Sequence, residues 1–178
     1  QKLAYQLDGT NGLPTEGWWY LAKIHPKLFH GAGARDVVLR RDLAGRELIG
    51  CPTILKRAKK DEKLPNTPLF GEGEDAQTGS LRYIGIDTQY FASALMPGGN
   101  QKDQPLKFVR GEAVLLTDLT KLPRGWERTA NVTYQLASKP SVLEPNTSST
   151  QAFRLFAGPK DPQLLARYDL EELIYYGW

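Results

Sequence analysis

Apolar and polar side chains alternate along much of this chain with the two-residue period of strands that meet different neighbours on their two sides. Leu3, Tyr5 and Leu7 alternate with Lys2, Ala4, Gln6 and Asp8, which predicts a half-buried strand, and Asp8-Gly9-Thr10-Asn11-Gly12 predicts the turn after it. Between Glu16 and Ile24 both faces are apolar: Trp18, Tyr20, Ala22 and Ile24 fall on one, Trp19, Leu21 and Lys23 on the other, so this strand is expected to be covered twice. Val37-Val38-Leu39 and the stretch Leu43 to Gly50 add short strands. Leu81 to Asp87 and Tyr90 to Met96 are two β-rich runs close together, ended by Pro97-Gly98-Gly99. From Leu106 to Thr117 the alternation slips near Gly111, where a bulge or bend is expected. Ala130, Val132, Tyr134 and Leu136 alternate cleanly with Thr129, Asn131, Thr133 and Gln135, which predicts a strand with one wet face.

The last quarter departs from this pattern. Phe153, Leu155 and Ala157 alternate with Arg154 and Phe156 in a strand that Gly158-Pro159 stops. Asp161 suits a helix N-cap and Pro162 the first helical position, so a short helix is predicted, with Leu164, Leu165 and Tyr168 on one face. Leu170 to Ile174 reads as strand or helix, and Tyr175, Tyr176 and Trp178 close the sequence. Such an aromatic end fits either a core edge or the boundary between hydrocarbon and water. Pro52 to Gly79 is rich in charge, Pro and Gly and reads as an exposed loop, with at most a short strand at Thr53 to Leu55. The sum is about nine or ten strands and one helix without strand–helix alternation, which favours an all-β, mainly antiparallel sandwich, a Greek-key barrel being the alternative.

With 178 residues, one domain spanning 1–178 is expected, in which 52–79 is the exposed loop and 158–178 the helix and lead-in. The hydrophobic fraction of 40% and the four Trp indicate a packed core. With 23 basic and 20 acidic residues, a net charge of +3 does not point to nucleic acid. The one basic cluster, Lys56-Arg57-Ala58-Lys59-Lys60, runs straight into Asp61 and Glu62 and reads as a solvated loop. One cysteine, Cys51, excludes an internal disulfide and a cysteine-rich metal site. No apolar run approaches the ~20 residues needed to span a bilayer, and no signal peptide opens the chain. The lack of an initiator Met suggests a piece cut from something longer.

Candidate chemistry is sparse. His25 and His30 flank Pro26 and Phe29 without the spacing or partners of a metal site. Glu171 and Glu172 are neighbours that point different ways, and Glu72, Glu74 and Asp75 fall in the loop. No nucleophile elbow, phosphate loop or dinucleotide fingerprint is present. No catalytic residue, metal ligand or cofactor is therefore predicted. Trp18 and Trp19, with Trp126, are candidate cleft aromatics for stacking on sugar rings, and a carbohydrate-binding or aldose-epimerase-like β-sandwich is the alternative reading; an epimerase would need His25 or His30 opposite a Glu.

Two segments resemble a known family. Tyr83-Ile84-Gly85-Ile86-Asp87-Thr88-Gln89-Tyr90-Phe91-Ala92-Ser93-Ala94-Leu95-Met96-Pro97 is similar to the part of the large periplasmic domain of YidC membrane-protein insertases in which a strand leads into a QYFA element and a strand closing on Pro. Phe153-Arg154-Leu155-Phe156-Ala157-Gly158-Pro159-Lys160, the helix after it, and Tyr176-Gly177-Trp178 resemble that family's strand ending in GPK, short helix and YGW. The resemblance implies a β-supersandwich similar to galactose-mutarotase-like folds with a helical segment at its C-terminal end; this chain is short for a whole one, so a fragment or a compact variant is expected. It also implies a non-enzymatic domain on the periplasmic side of the bacterial inner membrane, meeting Sec translocon components and nascent membrane proteins. The insertase groove lies among membrane helices outside this sequence, so no active residue carries over. Leu173, Tyr175, Tyr176 and Trp178 become the candidate membrane-proximal or partner contacts.

Overall fold

The computed structural model describes residues 2–14, 34–60, 65–71, 79–98, 107–122 and 129–174; the strand expected from Glu16 to Ile24 lies outside them. The described strands are β1 (Lys2–Leu3), β2 (Gln6–Asp8), β3 (Asp36–Arg41), β4 (Gly45–Ile49), β5 (Thr67–Phe70), β6 (Leu81–Asp87), β7 (Phe91–Pro97), β8 (Phe108–Leu115), β9 (Val132–Ser138), β10 (Ser141–Val142) and β11 (Phe153–Pro159). Helix α1 is Cys51–Lys60 and helix α2 is Pro162–Ala166, with 3-10 turns at Leu119–Lys121 and Glu171–Leu173. A five-stranded sheet has the order β11-β7-β6-β3-β4 and a four-stranded sheet the order β2-β9-β8-β5, while β1 and β10 form a short pair of their own. All strand pairings are antiparallel, so the architecture is the all-β sandwich that the alternation predicts.

The main core lies between the two sheets. Val37 and Leu39 of β3, Ile84 and Ile86 of β6 and Leu95 of β7 meet Phe70 of β5, Phe108 and Ala113 of β8 and Val132, Tyr134 and Leu136 of β9. Successive residues of β6 and β7 are buried on both faces, because the outer face of the five-stranded sheet carries a second core. The slip near Gly111 is real: register shifts occur between Phe108 and Arg110 and, in the facing strand, between Pro68 and Phe70. There the Phe70 ring lies where a side chain at Gly111 would have to go. On β9 the expected wet face is partly covered, since Thr133 is buried and its hydroxyl donates to the Thr10 carbonyl at 2.9 Å. The Thr10 hydroxyl also meets that of Ser93 on β7, so this turn ties the two sheets together.

The stretch expected as an exposed loop from 52 to 79 begins instead with α1, so neither a strand at Thr53 to Leu55 nor a loop around Lys56 to Lys60 is formed. Cys51, Ile54, Leu55 and Ala58 fall at the spacing of one helical face, and the first three are buried in the main core. Pro52 is tolerated because the first turn has no intrahelical acceptors for its N–H groups. The Cys51 N–H is taken by the Asp36 carboxylate at 2.7 Å. Helix α1 thus links β4 to β5, each an edge of its sheet among the described strands, and covers that side of the sandwich.

Gly85 marks the tightest backbone approach: a Cβ there would lie 1.9 Å from the Ser93 carbonyl oxygen, and neither atom belongs to a side chain that can swing away. Gly85→Ala is expected to lose about 3 kcal/mol or more in urea unfolding, at the severe end for overpacking. Leu43→Ala, at a position 71% exposed, should stay within about 0.5 kcal/mol of the parent. Equal midpoints for the two variants would contradict this register of β6 on β7.

Candidate functional site

The most distinctive assembly of the molecule is the C-terminal cap on the outer face of the five-stranded sheet. It starts as the residue types dictate: Asp161 accepts the Leu164 N–H at 2.8 Å and Pro162 opens α2. Asp169 then takes a left-handed conformation (φ 57°), which a short polar side chain tolerates, and the Leu170 N–H returns to the Leu165 carbonyl at 3.1 Å. The reversal directs Leu165, Leu170 and Leu173 onto Val38, Tyr83, Ala92, Ala94, Met96 and Phe156 of the sheet. Leu164 and Tyr168 pack at the rim as their spacing predicts, the Tyr168 ring 5.4 Å from that of Phe156. The segment from Leu170 to Ile174 resolves as a 3-10 turn over Glu171–Leu173.

Two polar ties hold this cap. The Tyr83 hydroxyl donates to Glu172 Oε1 at 2.7 Å, and Arg40 meets Glu172 Oε2 at 2.9 Å. Burial, reinforced by the Glu172 carboxylate, holds the Tyr83 hydroxyl protonated far above the usual phenol range. The second tie is at the entrance to the cap. Lys160 Nζ donates to Asp87 Oδ1 and to the Thr88 carbonyl, both at 2.9 Å, and the two side chains are only 7% and 4% exposed. The Lys160 N–H also donates to the Tyr90 carbonyl at 2.8 Å, so Lys160 is pinned at the turn joining β6 to β7. Burial pushes the Asp87 carboxyl up to about 6, outweighing the attraction of Lys160. A carboxylate and an amine are also an acid–base pair by type, but this one is enclosed and its ammonium already engaged, so its chemistry is that of a clamp.

Leu173, expected as a membrane-proximal or partner contact, is fully buried in the outer core. That corrects its role: the 3-10 turn aims it at the sheet, and it anchors the cap instead of presenting a surface. Tyr175, Tyr176 and Trp178 lie outside the described residues, as do Trp18, Trp19, Trp126, His25 and His30. Among the described residues no three His, Cys, Asp or Glu side chains cluster as a metal site would require, and no helix is long and apolar enough to cross a membrane. The role of Glu172 is invisible in its pairing with Glu171, because its partners lie on the sheet. Asp87 and Lys160 both stand in the segments that carry the family resemblance; a charged residue closing an otherwise apolar β-run is the available signal for each.

The fold and this cap define a β-sandwich domain whose C-terminal segment is clamped to the sheet it leaves. The two resembling segments are joined in space, β7 pairing with β11 from Phe153 opposite Pro97 to Pro159 opposite Phe91. Residues 57–178 match the family model of the YidC periplasmic domain. This is more than half of the 178-residue chain, and the chain belongs to that family. It is therefore a periplasmic domain associated with a membrane-protein insertase. No curated protein matches the chain.

The Lys160–Asp87 tie has a pH signature. In the native protein the Asp87 carboxyl, raised to about 6 from its ordinary value of 3.8, contributes stability that is fully present below pH 3.8 and is lost as the pH rises through about 6. Lys160→Met strands the carboxylate and raises its folded value further, so about 3–5 kcal/mol should be lost at pH 8 and clearly less at pH 5, where Asp87 is protonated. Chemical denaturation at the two pH values checks this; a loss independent of pH would show that the pair does not hold the cap.

Proposed function

We propose that this domain assists the insertion and folding of inner-membrane proteins by non-catalytic contact with partners and substrates, on the periplasmic side of the bacterial inner membrane. The observation that carries the reading is the clamp at Glu172. With Tyr83 and Arg40 both engaged by this one carboxylate, the direction in which the chain leaves the sheet at Ile174 is fixed relative to the whole sandwich. Beyond Ile174 the sequence continues with Tyr175-Tyr176-Gly177-Trp178, side chains suited to the interface between water and lipid. A rigid sandwich that fixes where its C-terminal segment leaves the sheet is suited to positioning a neighbour, and it needs no bond-making group. Sec translocon components and nascent membrane proteins are the partners this reading assigns to Tyr175, Tyr176 and Trp178, in a parent that is a multi-pass membrane protein.

The experiment places a photo-crosslinking amino acid at Trp178 of the parent protein in cells, with Leu43 as the exposed control position. Adducts to translocon subunits and newly made membrane proteins are expected from position 178, and Glu172→Ala should reduce them several-fold at equal expression by letting the exit direction wander. Adducts no stronger than those from position 43 would overturn the reading.

A further inference from the structure

Helix α1 spends its apolar face inside the sandwich and turns Lys56, Arg57, Lys59 and Lys60 outward, all four exposed, with no acidic residue anywhere in the helix. One or two cations in the last turn suffice to answer the negative end of the helix dipole. Arg57 Nε donates to the Asn66 carbonyl at 3.1 Å, which tethers the start of the next segment. On β8, Glu112 accepts from the Asn66 side-chain amide at 3.1 Å and lies 3.9 Å from Arg110. Lys56 and Lys60 in particular therefore contribute to a solvent-facing basic surface on a rigid helix, even with Asp61 and Glu62 next in sequence.

We propose that this face of α1 docks on an anionic phospholipid surface. Charge complementarity supplies the attraction. Membership of a family of periplasmic domains of a membrane insertase supplies the nearness, because a domain borne by a membrane protein meets its bilayer at high effective concentration. The proposal rests on that membership and not on the partner contacts assigned to the C-terminal segment. The apolar residues Cys51, Ile54 and Leu55 are locked in the core, so α1 cannot insert as a free amphipathic helix would. Contact is then electrostatic only: shallow, reversible and screened by salt.

The test is co-sedimentation of the 178-residue chain with vesicles of phosphatidylglycerol and phosphatidylcholine mixed, against phosphatidylcholine alone. Binding is expected only to the anionic vesicles, and it should vanish as salt rises from about 0.05 M to 0.5 M. Lys60→Gln should lower the partition coefficient roughly fivefold, and Lys56→Glu with Lys60→Glu by well over tenfold, on the scale of the attraction that each basic residue adds near an anionic membrane. Circular dichroism and urea midpoints should match the parent, since both side chains are exposed. Equal binding to the two vesicle types, or full binding by the charge-reversed variant, overturns the proposal. So does a charge-reversed variant that loses binding to poly-glutamate while its vesicle binding is unchanged, which would assign the face to an acidic protein segment. Abolished crosslinking at Trp178 with vesicle binding intact would remove the partner reading and leave this one standing.

Discussion

The central sheet of this domain is apolar on both faces, and that single fact forces most of the architecture. Ile84 and Ile86 point to one side and Tyr83 to the other; on β7, Leu95 opposes Ala92, Ala94 and Met96. Such a sheet cannot leave either face to water, so it needs two covers, and the chain supplies them from different materials. The inner cover is the four-stranded sheet. The outer one is α2 with the 3-10 turn after it, which can lie close because Ala92 and Ala94 leave room on the sheet surface. Burying Leu165, Leu170 and Leu173 there is worth about 1.5–3 kcal/mol each in transfer free energy. The cap is consequently as much part of the fold as any strand.

Into this outer core the chain also places an ion pair, which apolar side chains of the same size would replace at little or no loss of stability. Its value is in register. Lys160 reaches Asp87 only when Pro159 lies opposite Phe91, and a one-residue slip of β11 would turn Phe156 out of the core and carry the ammonium away from its carboxylate. Among the described strands β11 is an edge, paired with β7 alone, with Leu155 exposed on the opposite face. A penalty for the wrong register therefore matters more here than in the centre of the sheet. Tyr83, Arg40 and Glu172 do the same at the far end of the cap, so the segment is fixed at both ends before it leaves the sheet.

How far the sequence discloses this depends on whether the signal is local. The alternation on β6, β7, β9 and β11 is local, and so are the Asp161 cap and Pro162 start, and each of these is legible. Helix α1 is not. Its apolar face is only Cys51, Ile54, Leu55 and Ala58 among lysines, too short a stripe to outweigh a composition rich in charge, Pro and Gly. It is stable because the core behind it is open on that side and because Asp36, fifteen residues earlier, accepts its first N–H. The partner of a helix end that comes from another strand leaves no trace at the helix itself. Leu173 is hidden in the same way: next to an aromatic terminus it looks like part of a surface, and only the left-handed turn at Asp169 shows that it faces inward.

Asp36 and Asp87 tie both attached segments to the central strands. They stand directly opposite each other on β3 and β6, an arrangement that like charges disfavour, and the nearness of Asp36 helps to raise the Asp87 carboxyl. Each is tolerated because it receives its own donor from a segment outside the sheet, Asp36 from the first residue of α1 and Asp87 from the residue after β11. The two carboxylates are thus the fixed points at which the helix on one side and the cap on the other are attached to the same pair of strands. If either were apolar, its segment would still be driven onto the sheet by burial, but it would lose one of the directional contacts that set its angle. Each buried charge therefore adds direction to an attachment that apolar burial alone would leave loosely aimed.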